Sequence, residues 1–222
     1  MQVREAKIAV DSHGDVSGLL VRPATAEWML VLAHGAGAGM RHTFMERLAS
    51  ELANVKIATL RYQFPYMEKG RGGPDRPPVL TATVASAVRV AAKEAPDLPL
   101  LAGGKSMGGR MTSTAASEGL IDDVRGLVFF GFPLHPPNNP GTKRADHLAK
   151  VPMPMLFLQG TRDTLADLKL LQPICKGLGS RATLHVIDTA DHSFHMLKSS
   201  GSDDAKTLKS LAETTAAWAA KL

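Results

Sequence analysis

The chain has 222 residues, of which 44% are hydrophobic and 21% are charged, so it can fill one core and is not a collagen, a coiled coil or a disordered chain. The net charge is only +5 and aromatic residues make up 5%, which argues against a nucleic-acid partner. The single cysteine, Cys175, allows no internal disulfide, and no apolar stretch is long enough to cross a membrane. We therefore expect one soluble cytoplasmic domain over residues 1–222, with no nucleic-acid or membrane partner.

The predicted elements alternate between strands and helices after an opening hairpin over residues 7–10 and 16–22. Six largely apolar segments are predicted to be strands: 28–34, 56–62, 98–104, 126–132, 154–160 and 182–188. Five segments are predicted to be helices: 42–54, 79–95, 107–118, 165–177 and 203–221. This alternation predicts an α/β fold with a mostly parallel central sheet of about seven to eight strands, flanked by helices. The Pro-rich stretches 63–78 and 133–151 are predicted to be loops.

Ligands in such sheets bind where parallel strands end, so the residues that follow each strand are the first candidates for a site. Residues 104–108 match G-x-S-x-G and lie between a predicted strand and a predicted helix. In a nucleophile elbow, this arrangement holds a serine in a strained turn, with its hydroxyl above the edge of the sheet. Ser106 is therefore the candidate nucleophile.

A second glycine-rich loop, residues 34–39, directly follows the strand at 28–33. Acyl transfer needs two donors aimed at the oxygen of the tetrahedral intermediate, and small residues let the backbone approach that oxygen. We expect these donors to be the backbone N–H groups of Ala36 and Met107. A dinucleotide-binding G-x-G-x-x-G does not fit the loop, because Met40 or His42 occupies the place of its last glycine.

Two more candidates follow later strands. Asp163 comes after the strand at 154–160, and His192 comes after the strand at 182–188. A serine nucleophile needs a base to take its proton, and the imidazole needs a carboxylate that fixes its tautomer. The order Ser106, Asp163, His192 is that of α/β-hydrolases. Asp188 and Asp191 are alternative acids, although Asp191 adjoins the histidine and is expected to point elsewhere.

Two of these segments also resemble parts of a phosphate-binding loop and of a zinc site. Residues 104–106 resemble the end of a phosphate-binding P-loop, but that motif needs a glycine where the chain has Pro99. His192 and His195 have a spacing that can suggest zinc, yet no motif such as H-E-x-x-H accompanies them. We therefore expect neither a cofactor nor a metal.

The motifs HGAG, GGKSMGGR, GTRD and DHSFH together resemble small bacterial α/β-hydrolases. These are dienelactone-hydrolase-like proteins, related to a subunit of a eukaryotic histone-acetyltransferase complex. The resemblance covers about residues 28–218 and implies an α/β-hydrolase fold with Ser106 as nucleophile, Asp163 as acid and His192 as base. Dienelactone hydrolases proper carry a cysteine nucleophile where this chain has serine, so their particular substrate is not carried over.

These observations predict a serine hydrolase that cleaves a carboxylic ester or a related acyl bond of a small molecule. The connection at 133–151, where larger relatives insert a lid domain, is short, which favours an open site and a modest acyl group. The alternative function is a catalytically silent module that keeps the fold and binds a protein. The sequence leaves the oligomeric state and the natural substrate open.

A further hypothesis concerns the charge of the substrate. Lys69, Arg71 and Arg76 lie in the loop after the strand at 56–62, and Arg61 ends that strand. This loop leaves the carboxyl end of its strand, the side on which the site is expected. Positive charge beside a cleft raises the local concentration of anions, so the acyl substrate is expected to be anionic.

Overall fold

The computed structural model describes residues 3–222, which form one eight-stranded sheet with helices on both faces. The strands are β1 (Val3–Val10), β2 (Gly14–Val21), β3 (Trp28–Ala33), β4 (Ile57–Tyr62), β5 (Leu100–Lys105), β6 (Val124–Phe130), β7 (Met155–Gly160) and β8 (Ala182–Ile187). The helices are α1 (Thr43–Asn54), α2 (Pro65–Glu68), α3 (Pro77–Glu94), α4 (Met107–Ser117), α5 (Leu168–Gly177) and α6 (Asp204–Ala219). Three 3₁₀ turns lie at Lys143–Lys150, Gly179–Arg181 and Lys198–Ser200.

The strand order is β1-β2-β4-β3-β5-β6-β7-β8. β2 pairs antiparallel with both β1 and β4, whereas every pairing from β4 to β8 is parallel. The inner strands are buried almost throughout, as expected where helices cover both faces of a parallel sheet. The α/β-hydrolase fold predicted from the sequence is confirmed, and the connection from β6 to β7 carries no lid domain.

The helices cover the sheet as two layers with separate cores. On one face, α1 and α6 bury apolar stripes that include Leu48, Leu52, Leu211 and Trp218. On the other face, α3, α4 and α5 pack against the sheet in the larger cluster. Cys175 is buried in that layer, and burial raises the pKa of its thiol to about 11, so the thiol behaves as a packing group. Within residues 3–222, no helix is long and apolar enough to cross a bilayer.

The boundaries differ from the sequence prediction mainly in the Pro-rich stretches. The predicted loop at 63–78 contains α2 and the start of α3, and the predicted loop at 133–151 contains the 3₁₀ turn at Lys143–Lys150. The reason is that proline is well suited to the first turn of a helix, where its missing N–H is not needed, and both α2 and α3 begin on proline. α5 begins at Leu168 rather than at 165, because the Asp167 side chain caps it by accepting from the N–H of Lys169.

Candidate active site

Ser106 occupies the turn between β5 and α4 and has φ 52° and ψ −119°. A non-glycine residue in this region is strained, and such strain is held in place by the surrounding structure. Two glycines make the turn possible: a Cβ on Gly104 would lie 2.5 Å from the carbonyl oxygen of Ala33, and one on Gly108 would lie 2.6 Å from it. The sequence G-x-S-x-G therefore brings β5, α4 and the end of β3 into close backbone contact.

The structure brings Ser106, His192 and Asp163 together in one hydrogen-bonded chain. His192 Nε2 lies 2.8 Å from Ser106 Oγ, and His192 Nδ1 lies 2.7 Å from Asp163 Oδ2. Because an ionised carboxylate only accepts, Nδ1 is assigned the proton and Nε2 is left to accept from the serine. The Asp163 side chain is fully buried, while the imidazole keeps 20% of its surface exposed.

The Asp163 carboxylate is held by groups other than the imidazole. Its Oδ1 accepts from the backbone N–H of Leu165 at 2.8 Å, and its Oδ2 accepts from the side-chain amide of Gln159. The other end of that amide, Oε1, accepts from the N–H of Phe132 at 3.0 Å. The sequence reasoning missed Gln159, although a polar residue inside the apolar strand β7 was a usable signal.

The alternative acids are occupied elsewhere. Asp188 accepts from the hydroxyl of Thr161 at 3.2 Å. Asp191 accepts from the N–H groups of Ser193 and His195, at 2.8 and 2.9 Å, and so shapes the turn that carries His192. Neither carboxylate is hydrogen-bonded to the imidazole, which Asp163 contacts instead.

The two expected oxyanion donors are the backbone N–H groups of Ala36 and Met107. Ala36 and Ser106 line the same cavity, and within residues 3–222 the N–H of Ala36 has no hydrogen-bond partner. Met107 is the first residue of α4, so the helix itself does not use its N–H. In the described residues, both N–H groups therefore lack a backbone hydrogen-bond partner.

His34 anchors the loop that carries Ala36. Its Nδ1 donates to the carbonyl of Gly35 at 2.8 Å, and its Nε2 accepts from the N–H of Phe64 at 3.1 Å. Burial lowers the pKa of His34 to about 4, so the ring is neutral at physiological pH. The N–H of Gly37 donates to the hydroxyl of Tyr66 at 3.3 Å. The sequence reasoning did not assign either anchor.

A cavity of about 490 Å³ opens over Ser106 and His192. Apolar side chains form much of its wall, and polar groups join them: Phe44, Met45, Leu165, Phe194 and Leu208, with His42, Arg47, His195 and Asp204. No lining residue comes from 63–78 or 133–151, so neither stretch covers this cavity.

The basic loop does not supply charge to the cavity, which corrects the argument for an anionic substrate. Lys69, Arg71 and Arg76 are absent from its lining. Arg71 instead pairs with Asp75, and Lys69 donates to a backbone carbonyl in the β1–β2 turn. The buried Arg61 donates to the carbonyl of Met40 at 3.0 Å. Leaving the carboxyl end of a strand did not determine where these long side chains point, because Lys69, Arg71 and Arg61 have partners outside the cavity.

Lys105, the residue before Ser106, is buried beside the cavity with only 9% of its surface exposed. Its ammonium donates to the backbone carbonyl of His192 at 2.6 Å. Burial lowers the pKa of Lys105 to about 8, and the charges of Asp163 and Asp191 oppose that shift. The sequence analysis considered this residue as a variable position of G-x-S-x-G and as part of a rejected P-loop, and gave it no role.

A second serine–histidine pair lies away from the cavity, between α4 and the 3₁₀ turn at Lys143–Lys150. Ser113 Oγ is 2.7 Å from His147 Nε2 and also donates to the carbonyl of Arg110 at 2.9 Å. Ser113 has no exposed surface. Burial lowers the pKa of His147 to about 4, and the nearby charge of Arg110 lowers it further.

The side chain of His195 is hydrogen-bonded to an aspartate of α6. Its Nδ1 is 2.6 Å from Asp204 Oδ2, at the start of α6. Within residues 3–222, no group of three or more His, Cys, Asp or Glu side chains is placed to share a metal ion.

Comparison with known proteins places this geometry in context. The chain matches the family model of the alpha/beta hydrolase domain over residues 26–220. It is similar in structure to a dienelactone hydrolase from Anabaena variabilis, with 20% identity, TM-score 0.75, and 98% of this chain and 96% of that one covered. It is also similar to an α/β serine hydrolase without a lid from Xanthomonas campestris, with 15% identity, TM-score 0.74, and coverage of 98% and 95%.

A third similar structure is a cold-adapted esterase from an Arctic intertidal metagenomic library, with 19% identity, TM-score 0.68, and 97% of this chain and 93% of that one covered. At these identities the likenesses show the fold. The relation to a histone-acetyltransferase subunit stays a prediction.

Proposed function

The chain belongs to the α/β hydrolase family, and from that premise we propose that it is a serine hydrolase that cleaves carboxylic esters. The observation that carries the proposal is the hydrogen-bonded chain from Ser106 through His192 to Asp163. The esterases and serine hydrolases among its structural neighbours support the same reaction class.

In the proposed reaction, His192 Nε2 takes the proton of Ser106 as Oγ attacks the carbonyl carbon of the ester. The negative charge that develops on the carbonyl oxygen is stabilised by the N–H groups of Ala36 and Met107. The imidazolium then gives its proton to the leaving alcohol, and the acyl group stays on the serine. Water, deprotonated by the same imidazole, attacks the acyl-enzyme, and the imidazolium returns the proton to Ser106 Oγ as the carboxylic acid is released. Asp163 fixes the tautomer and stabilises the imidazolium.

The cavity supports a substrate of modest size. About 490 Å³ of space with a largely apolar wall suits a short acyl or aryl group placed beside the serine. Arg47 and Lys105 both line this cavity, so an anionic substrate would meet positive charge there. Because the nucleophile here is serine and not cysteine, we do not propose the substrate of dienelactone hydrolases for this chain.

The alternative of a catalytically silent, protein-binding module finds less support. Such a module would not need a strained serine at φ 52°, a buried carboxylate and an imidazole held between them. Strain of this kind costs stability and is concentrated at functional sites. The proposal therefore assigns these groups to catalysis.

The test is the hydrolysis of p-nitrophenyl acetate by the Ser106→Ala variant. Loss of the nucleophile in a serine hydrolase costs up to about 10⁶-fold in kcat, so we expect a loss of several orders of magnitude in a folded protein. Ser113→Ala is the matched control, because it removes the other histidine-bonded hydroxyl of α4. Wild-type turnover by folded Ser106→Ala would refute the proposal.

A further inference from the structure

The ammonium of Lys105 lies directly beneath His192. Its contact with the His192 carbonyl, 2.6 Å, is a hydrogen bond from a charged donor to the backbone of the residue that carries the imidazole. Such charge-assisted bonds are roughly twice as strong as neutral ones. The bond therefore joins β5, which presents Ser106, to the turn that presents the base.

Two aromatic rings and a glycine lie close to the ammonium. The rings of Phe44 and Phe194 stack against each other, and their centroids lie 5.9 and 5.6 Å from Nζ. A Cβ on Gly131 would come within 3.2 Å of Nζ, so the end of β6 closes the site at that point. These contacts are within the range of cation–π attraction, and they leave the ammonium little freedom to move away from the His192 carbonyl.

Burying an ammonium costs free energy, because the charge loses its hydration. An apolar side chain of the same length would fill the space beside the two stacked rings without that cost. The ammonium donates to the carbonyl of His192, and the charges of Asp163 and Asp191 favour its protonated form, so the role of the charge goes beyond packing.

We propose that Lys105 is a positioning residue, whose ammonium holds the His192 carbonyl and thereby keeps the imidazole aligned between Ser106 and Asp163. The inference rests on the proposed function, because alignment matters only if the imidazole acts as a base. Lys105 does not need to contact the substrate in order to act.

The groups that face this ammonium determine how pH affects it. The acidic groups are Asp163 and Asp191, and the neighbouring imidazole is that of His192, whereas α1 and the end of β6 contribute uncharged groups. With its pKa lowered to about 8, Lys105 is charged at neutral pH and loses its proton as the pH rises through that value. The bond to the carbonyl then loses its charge assistance, so kcat falls on the alkaline side.

The experiment measures kcat and KM for p-nitrophenyl acetate from pH 6 to pH 10 in the wild type, Lys105→Met and Lys105→Arg. Methionine keeps the length and removes the donor, so kcat should fall roughly 10²-fold, as for a misplaced catalytic group, with KM little changed. Arginine stays charged throughout this range, so the fall of kcat near pH 8 should be absent from Lys105→Arg. This variant should also keep a higher kcat than Lys105→Met. Lys176→Met, on the exposed side of α5, is the control and should match the wild type.

A thermal melt separates positioning from a merely structural role. Because the ammonium is costly to bury, the Tm of Lys105→Met should be at least that of the wild type, although its kcat is lower. Wild-type kcat in the methionine variant, or an unchanged alkaline fall in the arginine variant, would overturn the inference. An active wild type with unaffected variants removes this inference alone, whereas an inactive wild type removes the proposed function as well. If the methionine variant does not fold, the arginine profile decides.

Discussion

The Ser106–His192 pair and the Ser113–His147 pair have almost the same hydrogen-bond length, 2.8 and 2.7 Å. Their surroundings differ. Ser106 lines a cavity and its histidine contacts the buried Asp163. Ser113 has no exposed surface, and its hydroxyl also donates to a helix carbonyl.

The direction of the proton separates the two pairs. A hydroxyl has one proton, and a carbonyl only accepts, so the donation from Ser113 to its own helix leaves His147 Nε2 as the donor to Ser113 Oγ. That imidazole cannot take the proton of its serine in this arrangement. At His192, the carboxylate on Nδ1 leaves Nε2 free to accept. A short serine–histidine contact is therefore not enough for a nucleophile; access and tautomer decide.

Among the changes that leave both serines in place, the largest effect is expected when the first pair loses its carboxylate and so resembles the second. Asp163→Asn keeps the shape but places an amide against His192 Nδ1, which favours the wrong tautomer. In a serine protease, this change costs about 10⁴-fold in kcat, and we expect a similar loss in ester hydrolysis. Asp188→Asn is the control, since that carboxylate bonds to Thr161 instead. An active Asp163→Asn with a crippled Asp188→Asn would reverse the assignment.

The second prediction concerns how His147, the histidine of the other pair, makes the stability of the protein depend on pH. The pKa of His147 is lowered from 6.5 to about 4 in the folded protein, so between these values the unfolded chain binds the proton that the folded one rejects. The free energy of unfolding should therefore fall as the pH drops from 6.5 to 4. Because the ring is partly exposed, we expect His147 to contribute about 2 kcal/mol to this fall in the free energy of unfolding.

The measurement is urea unfolding at pH 7 and pH 4.5 of the wild type and His147→Gln, in which the amide nitrogen can take the place of Nε2 as the donor to Ser113. The difference in stability between the two pH values should be smaller in the variant. His13→Gln, in the β1–β2 turn, controls for the loss of any histidine. An equal pH dependence in wild type and His147→Gln would show that this ring is not held neutral.

The smallest expected effect is that of Ser113→Ala. Removing a buried hydroxyl that bonds to His147 and to a helix carbonyl should lower the free energy of unfolding by about 1 kcal/mol. Ester hydrolysis should stay at the wild-type rate, because this serine does not line the cavity. Denaturant unfolding and an esterase assay on the same preparation check both statements, and a large loss of kcat without a loss of stability would contradict them.

The sequence predicted which strands carry the candidate site because each of its three side chains follows a parallel strand. Ser106, Asp163 and His192 lie at the carboxyl ends of β5, β7 and β8, and parallel strands bring such ends to one edge. Short sequence patterns were enough for that prediction, since they identify both the nucleophile elbow and the strands in their order along the chain.

The supporting contacts could not be predicted in the same way. Gln159, Lys105 and His34 act through hydrogen bonds to residues distant in the sequence, and no spacing rule encodes those partners. The prediction based on the basic loop was wrong for a different reason: Arg71 pairs with Asp75, four residues further along the chain, and does not line the cavity. Side-chain direction in a loop depends on the nearest partner, which the order of residues alone does not reveal.

The most direct measurement of the central claim is labelling with a fluorophosphonate probe, followed by digestion and mass spectrometry of the modified peptide. The oxygen of an activated serine attacks phosphorus and displaces fluoride, so only a serine with an acceptor base and solvent access should react. The account predicts a single label on Ser106, lost in Asp163→Asn, and none on Ser113. An unlabelled protein, or a label on Ser113, would contradict it.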